Sequence, residues 1–138
     1  MIPLLFFAAA LGARVPGDSS TFRVTNAEER HIASAQYEEC MGRSHYNEDW
    51  VQCVRNELDH LDKLSSAAYR AALTRMPDQR SQQWLRASQS RWLKERDNKC
   101  FDEAWDAGPT PYDMVFHQCT IDDLIQRIAW LRHLRNSH

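Results

Sequence analysis

Apolar residues recur at steps of three and four positions from Trp50 to Met76. This spacing places them on one face of an α-helix. The face consists of Trp50, Cys53, Val54, Leu58, Leu61, Leu64, Ala68, Tyr69, Ala72 and Met76. Asn47 is suited to cap the first turn, and Pro77 disfavours helical geometry in the residue before it. The pattern therefore predicts a long amphipathic helix that begins near Asn47 and ends before Pro77.

Two further long helices are predicted after Pro77. Asp78 can cap a helix from about Gln79 to Ala104, which Gly108-Pro109 then ends. Its shared face consists of Leu85, Gln89, Trp92, Leu93, Arg96, Cys100 and Ala104. The last helix is expected to start with Thr110 as N-cap and Pro111 at the first helical position, and to continue to Arg135. Because the connection at Pro77 is short, the first two long helices are expected to form an antiparallel hairpin.

A shorter helix is predicted before the hairpin, from about Ala27 toward Cys40. Asn26 can cap it while Glu29 reaches back to the cap, as in a capping box. Its apolar face is thin, and no segment of the chain alternates with the period of a strand. The expected fold is an all-α domain over residues 26–138, a helical hairpin covered by a third long helix and one short N-terminal helix.

The first 13 residues form an apolar run that ends in small residues, although no Lys or Arg precedes it. Such a run is typical of a secretory signal peptide and is too short to span a bilayer. An apolar tail or an interfacial anchor is the alternative interpretation. We expect residues 1–13 to be a signal peptide, residues 14–25 to be a linker, and the protein to be periplasmic or secreted.

The chain has four cysteines, Cys40, Cys53, Cys100 and Cys119. An even number in a small exported chain indicates disulfides, and the spacing lacks the close cysteine pairs of structural zinc sites. Pairing Cys40 with Cys53 and Cys100 with Cys119 is favoured because each bond closes a short loop. Pairing Cys53 with Cys100 and Cys40 with Cys119 is the alternative, because Cys53 and Cys100 lie at similar distances from the hairpin turn.

Composition and charge argue against several classes of function. The formal net charge is −2 with acidic and basic residues interleaved, so no basic stripe for nucleic acid is present. The six histidines lack the spacing of metal ligands and are interpreted as surface residues. Glu57, Asp59 and Asp62 are interpreted as the solvated face of the first long helix. We therefore predict no enzyme, no metal site and no cofactor.

Three residues of the second long helix, Gln89, Trp92 and Arg96, project from one face. Polar groups on a buried stripe require partners. The favoured interpretation is that Gln89 and Arg96 bind polar groups of a neighbouring helix while Trp92 fills the core. The alternative is a binding role, because Trp and Arg commonly anchor interfaces.

These residues resemble the lysozyme-inhibitor LprI-like family of exported bacterial domains over residues 40–131. The resemblance covers Cys40 and Cys53, a leucine-rich helix that reaches Tyr69, and Cys119 followed by a helix with Arg127. It also covers a segment of α-helix-forming sequence in which Gln, Trp, Arg-Asp and Cys stand at set spacings. The segment is Leu85-Arg86, Gln89, Trp92, Arg96-Asp97 and Cys100. Ser65 and the loop at Gly108-Pro109-Thr110 depart from the family pattern.

The resemblance implies an exported helical domain that binds a protein and inhibits a lysozyme-type muramidase. It marks Tyr69, Gln89, Trp92, Arg96, Asp97 and Arg127 as motif residues with a structural or binding role. The alternative function is an envelope module with a structural or stress-related role that binds another partner. A shared fold does not decide between them.

Overall fold

The computed structural model describes residue 19 and residues 22–43 and 48–134. These ranges contain five helices and no strand, which confirms the all-α prediction. The helices are α1 (Asn26–Ile32), α2 (Ala35–Arg43), α3 (Glu48–Arg75), α4 (Gln79–Asp106) and α5 (Tyr112–His133). The expected signal peptide, most of the expected linker, the expected cap Asn47 and the expected helix end at Arg135 lie outside the described residues.

Helix α5 is the centre of the fold. Both long arms, α3 and α4, pack mainly against it. Its buried residues occupy most of the helix circumference, as expected for a helix enclosed by others. They are Cys119, Thr120, Ile121, Leu124, Ile125, Arg127, Ile128, Ala129, Trp130 and Leu131. The core is completed by Val54, Leu61, Ala68 and Ala72 of α3 and by Met76, which directly follows that helix.

Contacts at the two ends of α5 fix its direction. Arg75, the last residue of α3, donates hydrogen bonds to the carbonyls of Leu131 at 2.7 Å and Leu134 at 3.3 Å. At the opposite end, Cys100 near the end of α4 is bonded to Cys119 near the start of α5. Helix α5 therefore runs parallel to α3 and antiparallel to α4. The two arms of the hairpin hold it between them.

The ends of α4 agree with the sequence prediction. Asp78 accepts a hydrogen bond from the backbone N–H of Ser81 at 2.7 Å, and this bond lowers the pKa of Asp78. At the other end, Gly108 has a φ of 65°. Only glycine adopts this left-handed conformation without steric cost, so Gly108 lets the chain turn away from α4.

Two predicted caps are wrong. Thr25, not Asn26, is the N-cap of α1, and it has an extended backbone and forms a reciprocal capping box with Glu28. Pro111, not Thr110, is the N-cap of α5, and it has no side-chain capping bond. Its ψ of 131° is not helical, so the helix starts one residue later than predicted.

The predicted N-terminal helix is interrupted at Ala33 and Ser34, which separates α1 from α2. Ser34 donates hydrogen bonds from its backbone N–H and its hydroxyl to the carboxylate of Glu57 on α3. The Ser34 hydroxyl also accepts a hydrogen bond from the backbone N–H of Tyr37 in the first turn of α2. The interpretation of Glu57 as solvated is therefore wrong, because its side chain is 1% exposed and binds the break between the two helices.

Replacing Glu57 with alanine is expected to lower the free energy of unfolding by about 1–3 kcal/mol, because both donors of Ser34 lose their acceptor. Asp59→Ala is the matched control. Asp59 is an exposed carboxylate two residues away, and within the described chain its ion pair is with the exposed Lys63 alone. Urea denaturation of the two variants measures the difference. Equal stability of both variants would contradict the role of Glu57.

Both disulfides follow the favoured pairing. Cys40 is bonded to Cys53 with a Cα–Cα distance of 5.7 Å, and Cys100 to Cys119 with 5.5 Å. The alternative pairing is wrong. Cys53 and Cys100 lie on arms that α5 holds apart, so their similar distance from the turn does not bring them together.

Candidate binding surface

The motif residues Gln89 and Arg127 meet in a buried hydrogen-bond network. The guanidinium of Arg127, which is 1% exposed, donates from Nε to Gln89 Oε1 at 3.0 Å. It also donates to the hydroxyl of Ser88 at 3.2 Å and to the hydroxyl of Ser19 at 3.0 Å. One side chain of α5 thereby holds two residues of α4 and one residue from the N-terminal segment.

Two tryptophans enclose the same guanidinium. Its central carbon lies 4.1 Å from the ring centroid of Trp130 and 5.3 Å from that of Trp92. A cation near the face of an indole ring is stabilised by the ring quadrupole, and more strongly where water is excluded. The charge of Arg127 therefore has favourable surroundings even though it is buried.

The other motif residues lie around this network. Arg96 lies 5.1 Å from the Trp92 ring and forms an ion pair with its neighbour Asp97 at 3.0 Å. Gln89 thus finds its partner on the neighbouring helix, as interpreted from the sequence, whereas Arg96 finds it on its own helix. Tyr69 lies on α3, half-buried against the apolar core.

The segment before α1 is docked onto α5. The side chain of Gln126 donates hydrogen bonds to the carbonyls of Ser19 at 2.6 Å and Phe22 at 2.7 Å. The ring of Phe22 packs against His133, which also forms a hydrogen bond with Glu28. That bond is the main reason why the pKa of Glu28 is lowered. The described residues of the expected linker therefore pack against the helical body.

A shallow depression of about 290 Å³ lies beside the network. Trp92, Arg96 and Gln126 form part of its wall, and an ion pair between Lys99 and Asp123 at 3.0 Å lies at its border. A second depression of about 410 Å³ lies beside the Cys40–Cys53 disulfide and Glu57. Among the described residues, no three His, Cys, Asp or Glu side chains are grouped to hold a metal ion.

Four aromatic rings in mutual contact form an exposed surface where α4 ends and α5 begins. Trp105 stacks on Phe101 with ring centroids 6.2 Å apart, and Phe101 meets Tyr112 edge-on at 6.1 Å. Tyr112 stacks on Phe116 at 5.9 Å. Trp105 is 75% exposed and Phe101 50% exposed. We call Phe101, Trp105, Tyr112 and Phe116 the aromatic surface.

The sequence pattern did not predict the aromatic surface, because none of its four residues lies on a predicted helix face. A signal was present in the helical register. Phe101 and Trp105 each directly follow a residue of the buried stripe, Cys100 and Ala104 respectively. A one-residue step turns a side chain about 100° around a helix, and this rotation carries both rings off the buried face.

The family described as Lysozyme inhibitor LprI matches residues 40–131, most of the chain. The chain belongs to this family. No curated protein and no solved structure matches it.

The match to the LprI family includes both disulfides, the aromatic surface and the Arg127 network apart from Ser19, because it begins at Cys40 and ends at Leu131. In the described part of this LprI-family protein, no helix is both long enough and apolar enough to cross a membrane. The scaffold that positions the aromatic surface is thus formed within the part of the chain that the family shares.

Proposed function

We propose that this LprI-family protein is an exported module that binds and inhibits lysozyme-type muramidases. The observation that carries the proposal is the family match over residues 40–131, because the family is described by that inhibitory activity. An inhibitor of this type acts by covering the substrate cleft of the enzyme. Such an inhibitor needs a contacting surface that is ordered in the free protein, and it needs no catalytic group of its own.

The scaffold suits such a role. The Cys40–Cys53 bond fixes α2 to α3, and the Cys100–Cys119 bond fixes α4 to α5. Binding costs less entropy when the contacting surface is already ordered in the free protein. Exposed aromatic rings are also among the side chains that contribute most to protein interfaces.

Export is part of the proposal. Structural disulfides persist in oxidising compartments and are rare in the cytosol, so two of them favour a periplasmic or secreted location. The apolar run over residues 1–13 is the proposed signal peptide. We also propose that the folded unit includes Ser19 and Phe22, which are bound to α5.

The proposal predicts that the purified, disulfide-intact protein slows the lysis of peptidoglycan by a basic c-type lysozyme. The expected inhibition constant is about micromolar or tighter, since covering a cleft requires an interface of ordinary size. The control is the same protein after reduction and alkylation, which is expected to inhibit less. Unchanged lysozyme activity at a large molar excess of the intact protein would contradict the proposed function.

A further inference from the structure

We propose that the aromatic surface, together with the carboxylates that flank it, is the docking site for a basic protein surface. The inference rests on the proposed function, because it names the face through which this protein would bind a muramidase. The partner that we propose for this site contacts it with Arg and Lys side chains.

The exposure of the rings is the first argument. Trp105, Phe101 and Tyr112 are 75%, 50% and 38% exposed, and they lie in one continuous series of ring contacts. Soluble proteins rarely leave adjoining large aromatic side chains in water, and such patches mark interaction sites. Burial of one such ring in an interface removes on the order of 100 Å² or more of apolar surface from water.

The rings are also held in place before any partner arrives. Phe101 follows Cys100 directly, and the Cys100–Cys119 bond joins α4 to α5 beneath the surface. The series continues inward from Phe116 to His117 and then to Trp50 of α3. Because stacked neighbours restrict these side chains already, little rotamer entropy remains to be lost on binding.

Charge decides which kind of partner fits. Each of the three exposed rings is followed by an aspartate, in Phe101-Asp102, Trp105-Asp106 and Tyr112-Asp113, and all three aspartates are exposed. From Phe101 to Gln126 the sequence has no Lys or Arg, although the whole chain has 17. Within this stretch, Asp102, Glu103, Asp106 and Asp113 lie beside or between the exposed rings in the sequence, whereas Asp123 is paired with Lys99.

This combination complements a cationic protein. An Arg guanidinium can stack on an aromatic ring and pair with a carboxylate at the same time, and Lys can pair with the carboxylate. Flat rings also suit the stacking of sugars. However, peptidoglycan carries carboxylates of its own, and the aspartates beside every exposed ring would repel them.

The test measures binding of the full, disulfide-intact protein to a basic c-type lysozyme by calorimetry, in parallel with inhibition. Trp105→Ala is expected to weaken binding by about tenfold or more. Asp106→Asn is expected to weaken it several-fold at low salt and to reduce its salt dependence. The matched controls are Leu93→Ala, another exposed apolar residue of α4, and Asp62→Asn, an exposed carboxylate of α3. Both controls are expected to stay within about twofold of the wild type.

The outcomes separate this inference from the proposed function. If the wild type inhibits lysozyme and Trp105→Ala and Asp106→Asn inhibit equally well, the docking site is wrong and the function stands. If the wild type binds through Trp105 without inhibiting, the docking site stands and the function is wrong. If the wild type does not bind lysozyme, both the docking site and the proposed function are wrong. Binding of soluble peptidoglycan fragments in place of lysozyme, lost in Trp105→Ala, overturns the assignment of a protein partner.

Discussion

Replacing Arg127 with alanine is expected to lower the free energy of unfolding by about 3–5 kcal/mol. The substitution leaves a cavity between Trp92 and Trp130, and it removes the donors that bind Gln89 and Ser88. It also frees the hydroxyl of Ser19, so the N-terminal segment loses one of its attachments to α5. Urea denaturation with both disulfides intact measures the effect.

Two further variants identify what Arg127 contributes. Arg132→Ala removes an exposed arginine from the same helix and is expected to change stability by no more than about 0.5 kcal/mol. Arg127→Lys keeps the charge but not the planar group that donates in three directions and stacks on tryptophan. Its free energy of unfolding is therefore expected to remain well below that of the wild type. If Arg127→Ala is as stable as Arg132→Ala, the network does not hold the fold together.

Removing the Cys100–Cys119 bond by the double substitution Cys100→Ala and Cys119→Ala is expected to lower the free energy of unfolding by about 2–4 kcal/mol. The bond closes a loop with a sequence separation of 19 and joins the two helices that carry the aromatic surface. Its loss is therefore expected to weaken lysozyme binding as well, because Phe101 and Tyr112 then lie on helices that no disulfide holds together. Thermal unfolding and calorimetry measure the two effects.

The other disulfide supplies the matched control. Replacing Cys40 and Cys53 with alanine removes a bond with a sequence separation of 13, and a comparable loss of stability is expected. This bond joins α2 to α3, so lysozyme binding is expected to change much less. If both double variants lose affinity equally, the Cys100–Cys119 bond has no special part in ordering the aromatic surface.

The long helices were predictable because their stabilising interactions are local or periodic. The apolar repeat from Trp50 to Met76 gave α3, and Asp78 and Gly108 marked the two ends of α4. The disulfide pairing followed from loop closure. These features depend on residues that are near each other in the sequence.

Apart from the two helix caps, the features that were missed depend on residues that are far apart in the sequence. The break between α1 and α2 requires Glu57, 23 positions after Ser34, to lie beneath it. The surroundings of Arg127 include Ser19, 108 positions earlier. The exposure of Trp105 could be suspected from its register, but the stack with Phe101 and Tyr112 depends on how α4 meets α5. No local pattern contains that information.

In the proposed complex, a disulfide-fixed helical scaffold presents the aromatic surface to a basic muramidase. Hydrogen–deuterium exchange of the free protein and of its complex with lysozyme locates the contacting surface. If the aromatic surface is the docking site, binding slows exchange mainly between Phe101 and Phe116, with little change in the middle of α3. Slower exchange confined to α2 and α3, with the region from Phe101 to Phe116 unaffected, would contradict it.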